Sequence, residues 1–132
     1  MIETIGVSTR ERTELIDITS LIRKAVGDSG VMDGSCLVYI PHTTAAVTIN
    51  ENADPMVKRD ILMILNRVIP FSDDYHHAEG NSAAHIKATL IGSSERIIVK
   101  DGDIVLGTWQ GIFFCEFDGP RSRRVVLQIS SA

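Results

Sequence analysis

An Asp-Pro pair at 54–55 and a proline at 70 bracket the segment that most constrains this chain. In "DPMVKRDILMILNRVIP", Val57, Ile61, Ile64, Leu65 and Val68 recur at the spacing of one helical face. The Asp54 carboxylate is a good N-cap because it can take an unpaired N–H of the first turn. Pro55 suits the first helical position, where a missing N–H costs nothing. Pro70 ends the helix. Leu62, Met63 and Ile69 widen the apolar stripe beyond one face, so this helix calls for cover on two sides, with another subunit as one source of it.

On either side of this helix the pattern is strand-like. "IETIGVSTR" and "TELIDIT" alternate and carry β-branched residues, and read as two strands with a polar turn between them. "SLIRKAVGDSG" places Leu21, Ile22, Ala25 and Val26 on one helical face, with Thr19 as a cap and Gly27 or Gly30 as a stop. "SCLVYI" is a buried strand halted by Pro41, and "AAVTIN" is another strand. "NSAAHIKATLIG" reads as a helix capped by Asn81 or Ser82 and closed by Gly92. "ERIIVKDG", "DIVLGTWQGIFFCEF" and "RRVVLQIS" read as strands separated by the turn-type stretches "KDGD" and "DGPRS". Strands at both ends with helices in the middle predict one α+β domain over residues 1–132. Its form is a mostly antiparallel sheet or sandwich, partly covered by two or three helices.

The chain has 132 residues, 44% hydrophobic and 23% charged, which suits a soluble globular domain with a real core. A net charge of −4 argues against nucleic acid as partner. Arg121, Arg123 and Arg124 form the only dense basic cluster, and it is short. Cys36 and Cys115 lie in apolar runs and form no CxxC pair, so they read as small buried hydrophobes in a reducing cytoplasm. The N-terminus lacks the basic-then-apolar pattern of a signal peptide. The run "ILMIL" is too short to span a membrane.

Three stretches carry possible chemistry. In "HHAEGNSAAHIK", Gly80 breaks the chain before a helix start, whose free N–H groups favour an anion. His85 lies one turn in, on the face of Asn81, and His77 and Glu79 can fold toward that end. The plainer reading is a solvated loop and a half-buried histidine. In "PHTTAAVTINENADP", an extended chain puts His42, Thr44, Thr48 and Asn50 on one face, which lines a site, a subunit contact or solvent. In "LGTWQGIFFCEFDGPRSRR", Gln110, Ile112, Phe114, Glu116 and Asp118 share one face, while Trp109, Phe113, Cys115 and Phe117 share the other. Glu116 among apolar neighbours needs a partner or exposure. An ion pair with Arg121 across the hairpin is the plain structural reading, and Arg121 could also fork onto a phosphate. His42, His77 and His85 offer three imidazoles and no thiolate, a set that suits Zn²⁺ with one open position. No HExxH, GxxxxGK[ST], GxGxxG or GxSxG occurs, which removes zincin, P-loop, Rossmann and α/β-hydrolase readings.

At these strings, which span most of residues 41 to 125, the chain resembles the YjbQ-like family, also described as secondary thiamine-phosphate synthases. The resemblance implies an α+β fold, a compact homotrimer and a polar site containing histidines. His42, His77 and His85 would be the family's histidines, accompanied by Glu51, Asn81, Glu116 and Arg121. Taken with the residue reading, Glu51, Glu116 and Arg121 are the expected catalytic groups. Asn81, Ser82, Arg121, Thr44 and Asn50 are the expected contacts to substrate or phosphate, and the three histidines the expected metal ligands. The family description implies joining of a hydroxymethylpyrimidine diphosphate to a thiazole phosphate, with pyrophosphate released. Zinc is the metal favoured by the histidines, and Mg²⁺ the one favoured by a diphosphate. The other readings are a zinc-type hydrolase or lyase, and a non-catalytic trimer that binds a metal or a phosphorylated metabolite. His76 and Cys115 carry no expected role.

Overall fold

Arg123, Val125, Leu127 and Ile129 are buried along the last strand, while Arg124 and Gln128 are exposed. Such alternation marks a sheet with one face on a core. The computed structural model describes residues 1–132. Its elements run β1 (Ile2–Ser8), β2 (Glu14–Asp17), α1 (Thr19–Ser29), β3 (Gly34–Tyr39), β4 (Ala45–Glu51), α2 (Pro55–Val68), α3 (Ser82–Ile91), β5 (Ser94–Lys100), β6 (Asp103–Ile104), β7 (Gln110–Glu116) and β8 (Ser122–Ser131). A five-stranded sheet has the order β1-β8-β3-β5-β6 and a three-stranded sheet the order β2-β7-β4. Every pairing is antiparallel. The chain is therefore α+β, with antiparallel sheets and three helices.

The two sheets face each other across the main core. Val125, Leu127 and Ile129 of β8 and Val38 of β3 meet Ile112 and Phe114 of β7 and Val47 of β4 in one cluster, joined by Ile22 and Val26 of α1. The other face of the small sheet is also covered. Phe113 and Cys115 of β7 and Ala46 of β4 pack with Ala84 and Ala88 of α3, and Ile61, Leu62 and Leu65 of α2 lean on the same cluster. Burial on both faces explains why every residue from Gly111 to Phe117 is buried, and why "GIFFCEF" reads as an unbroken apolar run. Its side chains still divide by parity, Ile112 and Phe114 to one core and Phe113, Cys115 and Phe117 to the other, as expected. The cysteines are buried and free. Burial pushes the Cys36 thiol up to about 11 and Cys115 to about 12, so neither is a ready nucleophile.

The helix at the centre of the chain forms as its bracketing residues dictate. Asp54 accepts the Met56 N–H at 2.9 Å, and Pro55 is the first helical residue. None of its 14 residues is fully buried. The two N-terminal strands form as expected, and the polar turn between them carries the chain from one sheet to the other, β1 pairing with β8 and β2 with β7. Two expectations need correction. "DIVLGTWQGIFFCEF" is not one strand. It breaks between β6 and β7, where the Gln110 side chain takes the Gly107 N–H. Thr19 does not cap α1. The Asp17 carboxylate accepts its N–H and hydroxyl, and the Thr19 hydroxyl oxygen accepts the Ile112 N–H at 2.9 Å.

Candidate functional site

Three connections converge at one end of the sandwich. Residues 40–44 link β3 to β4, residues 117–121 link β7 to β8, and residues 69–81 lead into α3. Between them lies a cleft of about 760 Å³. Its lining is mostly polar and includes His42, Thr44, Asn81, His85, Asp118 and Arg123.

Arg123 is the centre of the charge arrangement. It continues the inward parity of Val125, Leu127 and Ile129, so its stem enters the sandwich and its guanidinium meets Glu116, which continues the inward parity of Ile112 and Phe114. The Arg123 Nε donates to Glu116 Oε1 at 2.8 Å. Its Nη2 donates to Glu116 Oε2 and to the Thr44 hydroxyl at 2.8 Å. The Thr9 hydroxyl donates to Oε1 at 2.7 Å, and the Asp118 N–H to Oε2 at 3.0 Å. Glu116 is fully enclosed and Arg123 only 6% exposed. Burial alone would raise the Glu116 carboxyl. The bonds from Arg123, the Asp118 N–H and Thr9 outweigh it and hold the carboxyl below its ordinary value. The third guanidinium nitrogen, Arg123 Nη1, has no protein partner and is not sealed from solvent.

His42 is fixed by a gap in the large sheet. The β3–β8 ladder ends at Tyr39↔Val126, which leaves the Arg124 N–H without a strand partner on that side. The His42 Nε2 accepts it at 2.9 Å. Burial and the nearby charges of Arg123 and Arg124 hold the imidazole below its ordinary value.

Asn81 sits at the N-cap position of α3, after Gly80 at φ 80°, a conformation that glycine adopts freely. Its side chain does not cap the helix. Its amide nitrogen donates to Asp118 Oδ2 at 3.0 Å, while its oxygen is buried without a partner. Arg121 clamps the same loop, donating from Nε to the Asp118 carbonyl at 2.8 Å and from Nη2 to Asp118 Oδ2 at 3.0 Å. Burial would raise the Asp118 carboxyl, but Asn81 and Arg121 hold it down. The His77 and His85 rings stand edge to face at 5.4 Å, and His77 Nε2 lies 3.7 Å from the Glu79 carboxylate.

The expected site residues are thus partly gathered. His42, Thr44, Asn81, His85 and Arg121 line the cleft, with Glu79 and Asp118. His77 touches His85 but is not part of the lining. Glu116 stands behind Arg123 and does not reach the lining. Its partner is Arg123, not Arg121. Ser82 opens α3 outside the cleft. Asn50 and Glu51 lie far off, because Ala45 pairs with Glu116 but Glu51 with Gln110, about 20 Å along β4 at ~3.3 Å per residue. The expected face of His42, Thr44, Thr48 and Asn50 does not form, since β4 begins only at Ala45. No three His, Cys, Asp or Glu side chains of this chain converge as a metal site. Reading the sequence for chemistry missed Arg123, although its shared parity with Val125, Leu127 and Ile129 was a usable signal.

The fold and the sequence have counterparts. Residues 3–132 match the family described as UPF0047 protein YjbQ-like. The chain belongs to that family. A UPF0047 protein of Methanocaldococcus jannaschii is 55% identical over 93% of this chain and 89% of its own length. The UPF0047 protein YugU of Bacillus subtilis is 47% identical over 98% of both chains. Among solved structures, an uncharacterised conserved protein of the YjbQ/UPF0047 family from Clostridium acetobutylicum superposes with a TM-score of 0.95. It is 56% identical, over 97% of this chain and 99% of its own. A protein from Sulfolobus solfataricus described as YbjQ-like and of unknown function gives 0.96 at 36% identity, over 100% of this chain and 97% of its own. The YjbQ-like fold thus extends over the whole chain, from β1 to β8.

Proposed function

We propose that this YjbQ-like cleft binds a phosphorylated small molecule and transfers a group on it, in the manner of a secondary thiamine-phosphate synthase. In that reaction the thiazole nitrogen takes the methylene carbon of the pyrimidine, the carbon–oxygen bond to the diphosphate breaks, and pyrophosphate leaves. One observation carries the reading: a buried, carboxylate-backed arginine presents an unpaired edge beside two imidazoles in a polar cleft. A fixed guanidinium edge suits phosphate oxygens, and His85 is the group on α3 placed to give a proton to the departing pyrophosphate oxygen. The internal pairing of Arg121 with Asp118 and Arg123 with Glu116 leaves modest positive charge for a diphosphate, so its binding rests on directed donors more than on net charge. The His85→Ala variant is expected to lose turnover of the pyrimidine and thiazole phosphates by at least a hundredfold, on the order of the contribution of general acid–base catalysis. Its unfolding midpoint should stay close to wild type. Full activity in that variant would move the chemistry elsewhere.

A metal-assisted reading, hydrolytic or lyase, or plain metal binding, rests on a different observation, the edge-to-face His77 and His85 pair with Glu79 close to His77. Two imidazoles and a carboxylate suit zinc better than Mg²⁺, although the three do not converge on one point in this chain. They fall one ligand short of a shared set with His42, because that ring spends Nε2 on the Arg124 N–H. Elemental analysis of wild type and of the His77→Ala, His85→Ala double variant separates this reading from the first.

We also propose that the chain works as a homotrimer in the cytoplasm. Met63, Ile64 and Val68 of α2 and Leu90 of α3 are exposed, Val68 by 69%, an apolar face of the kind that subunits cover. Buried free thiols suit a reducing compartment, and no helix is long and apolar enough to cross a membrane. The Val68→Glu substitution is expected to shift the mass seen by light scattering from trimer toward monomer. An unchanged mass would place the interface elsewhere.

A further inference from the structure

We infer that His42 is a tautomer-locked hydrogen-bond donor, and that its Nδ1–H and the Nη1 edge of Arg123 together form the seat for a phosphate oxygen in the cleft. The inference rests on the reading of the cleft as a phosphate site, and it assigns the atoms that do the binding.

A neutral imidazole has one donor nitrogen and one acceptor nitrogen. The Arg124 main-chain N–H can only donate, and it donates to His42 Nε2 at 2.9 Å. Nε2 must therefore keep its lone pair, and the ring proton must sit on Nδ1. An imidazolium would set two N–H groups against each other, so this contact holds the ring neutral. Nδ1 has no partner in the protein and is not sealed from solvent, and His42 lines the cleft. Its donor is left for a ligand.

Arg123 is prepared in the same way. Its Nε and Nη2 are consumed by Glu116 and Thr44, so the guanidinium cannot rotate to follow a ligand. Only the Nη1 edge remains, since every Arg123 side-chain bond leaves from Nε or Nη2. The two residues line the same cleft, and the Arg123 charge acts on the His42 ring. A neutral N–H beside a fixed cation is a preorganised donor pair for a phosphoryl oxygen. The same lock keeps His42 from ligating a metal. Coordination through Nδ1 would push the proton onto Nε2 and break the bond to Arg124.

The test is NMR of protein labelled with nitrogen-15, titrated with inorganic phosphate at pH 7. His42 is expected to show a lone pair on Nε2 and a proton on Nδ1. Phosphate should shift the His42 Nδ1 and Arg123 side-chain signals together and saturably. His42→Gln keeps an acceptor near the Arg124 N–H but loses the donor at the δ position, and phosphate binding should weaken at least tenfold. His42→Asn keeps a donor at the δ position and should weaken it less. Added Zn²⁺ should leave the His42 tautomer unchanged. A proton on Nε2, a phosphate response at His85 without one at His42, unchanged phosphate affinity in His42→Gln, or a zinc-induced tautomer change would each overturn the assignment. Phosphate binding on these atoms without any turnover would leave the seat standing and sink only the transferase reading.

Discussion

The Glu116→Gln variant is expected to lose about 3–5 kcal/mol of stability in urea denaturation at pH 7, the usual cost of removing one partner from a buried ion pair. The cost arises because Arg123, with a side chain only 6% exposed, would keep its charge inside the sandwich with no counter-charge. Replacing both residues by apolar ones of similar size, Glu116→Leu with Arg123→Met, should restore most of that loss. It should also abolish phosphate binding. The pH dependence has a defined sign. The Glu116 carboxyl lies below its ordinary value when folded. Its contribution is therefore fully present above the unfolded value of about 4.3. It is lost as pH falls through the folded value, since the unfolded chain binds the proton more readily. The wild-type protein should weaken on that acid limb more steeply than the double variant. A Glu116→Gln protein within about 0.5 kcal/mol of wild type, the scatter of ordinary surface changes, would show that Arg123 finds another partner.

That pair also marks how far the sequence is legible. Period-2 reading places Glu116 with Ile112 and Phe114, and the demand for a partner follows at once. The choice of Arg121 fails because a hairpin turn offers the nearest arginine, whereas pairing across the core is decided by which arginine shares the parity of Val125, Leu127 and Ile129. Local signals fared well wherever one helix or one strand decides the outcome: the Asp54 cap, the stop at Pro70, and the split of Phe113 from Phe114. Non-local pairing was not legible. Nothing in "TINENADP" says that Ala45, not Glu51, stands beside Glu116, so the sequence does not reveal that Asn50 and Glu51 lie at the far end of their strand from the cleft. The role of His42 depends on where the β3–β8 ladder stops, which no periodicity records.

Lys87 supplies the second large effect, of opposite sign. It lies on the inner side of α3, fully enclosed, with no acceptor for its ammonium group. Its Nζ stands 3.9 Å from the centre of the Phe71 ring, and the Arg12 guanidinium carbon 3.6 Å from the same centre. A cation over an aromatic face gains ~0.5–2 kcal/mol. Enclosing an ammonium with no hydrogen bond costs several kcal/mol, so the cost wins. Burial and the Arg12 charge pull the amine down to about 8. Lys87→Met fills similar space without a charge, and is expected to raise stability at pH 7 by about 1–2 kcal/mol, the difference between those opposing effects. In the wild type, the unfolded chain binds the proton more tightly between about 8 and the ordinary lysine value of 10.5, so stability should rise with pH through that window. The variant should be flat there. A destabilised Lys87→Met protein would mean that the stacking on Phe71 outweighs the enclosure. The lysine would then be holding the segment that carries His77 and Glu79 against α3, since Arg12, on the same ring, also reaches the Gly80 carbonyl.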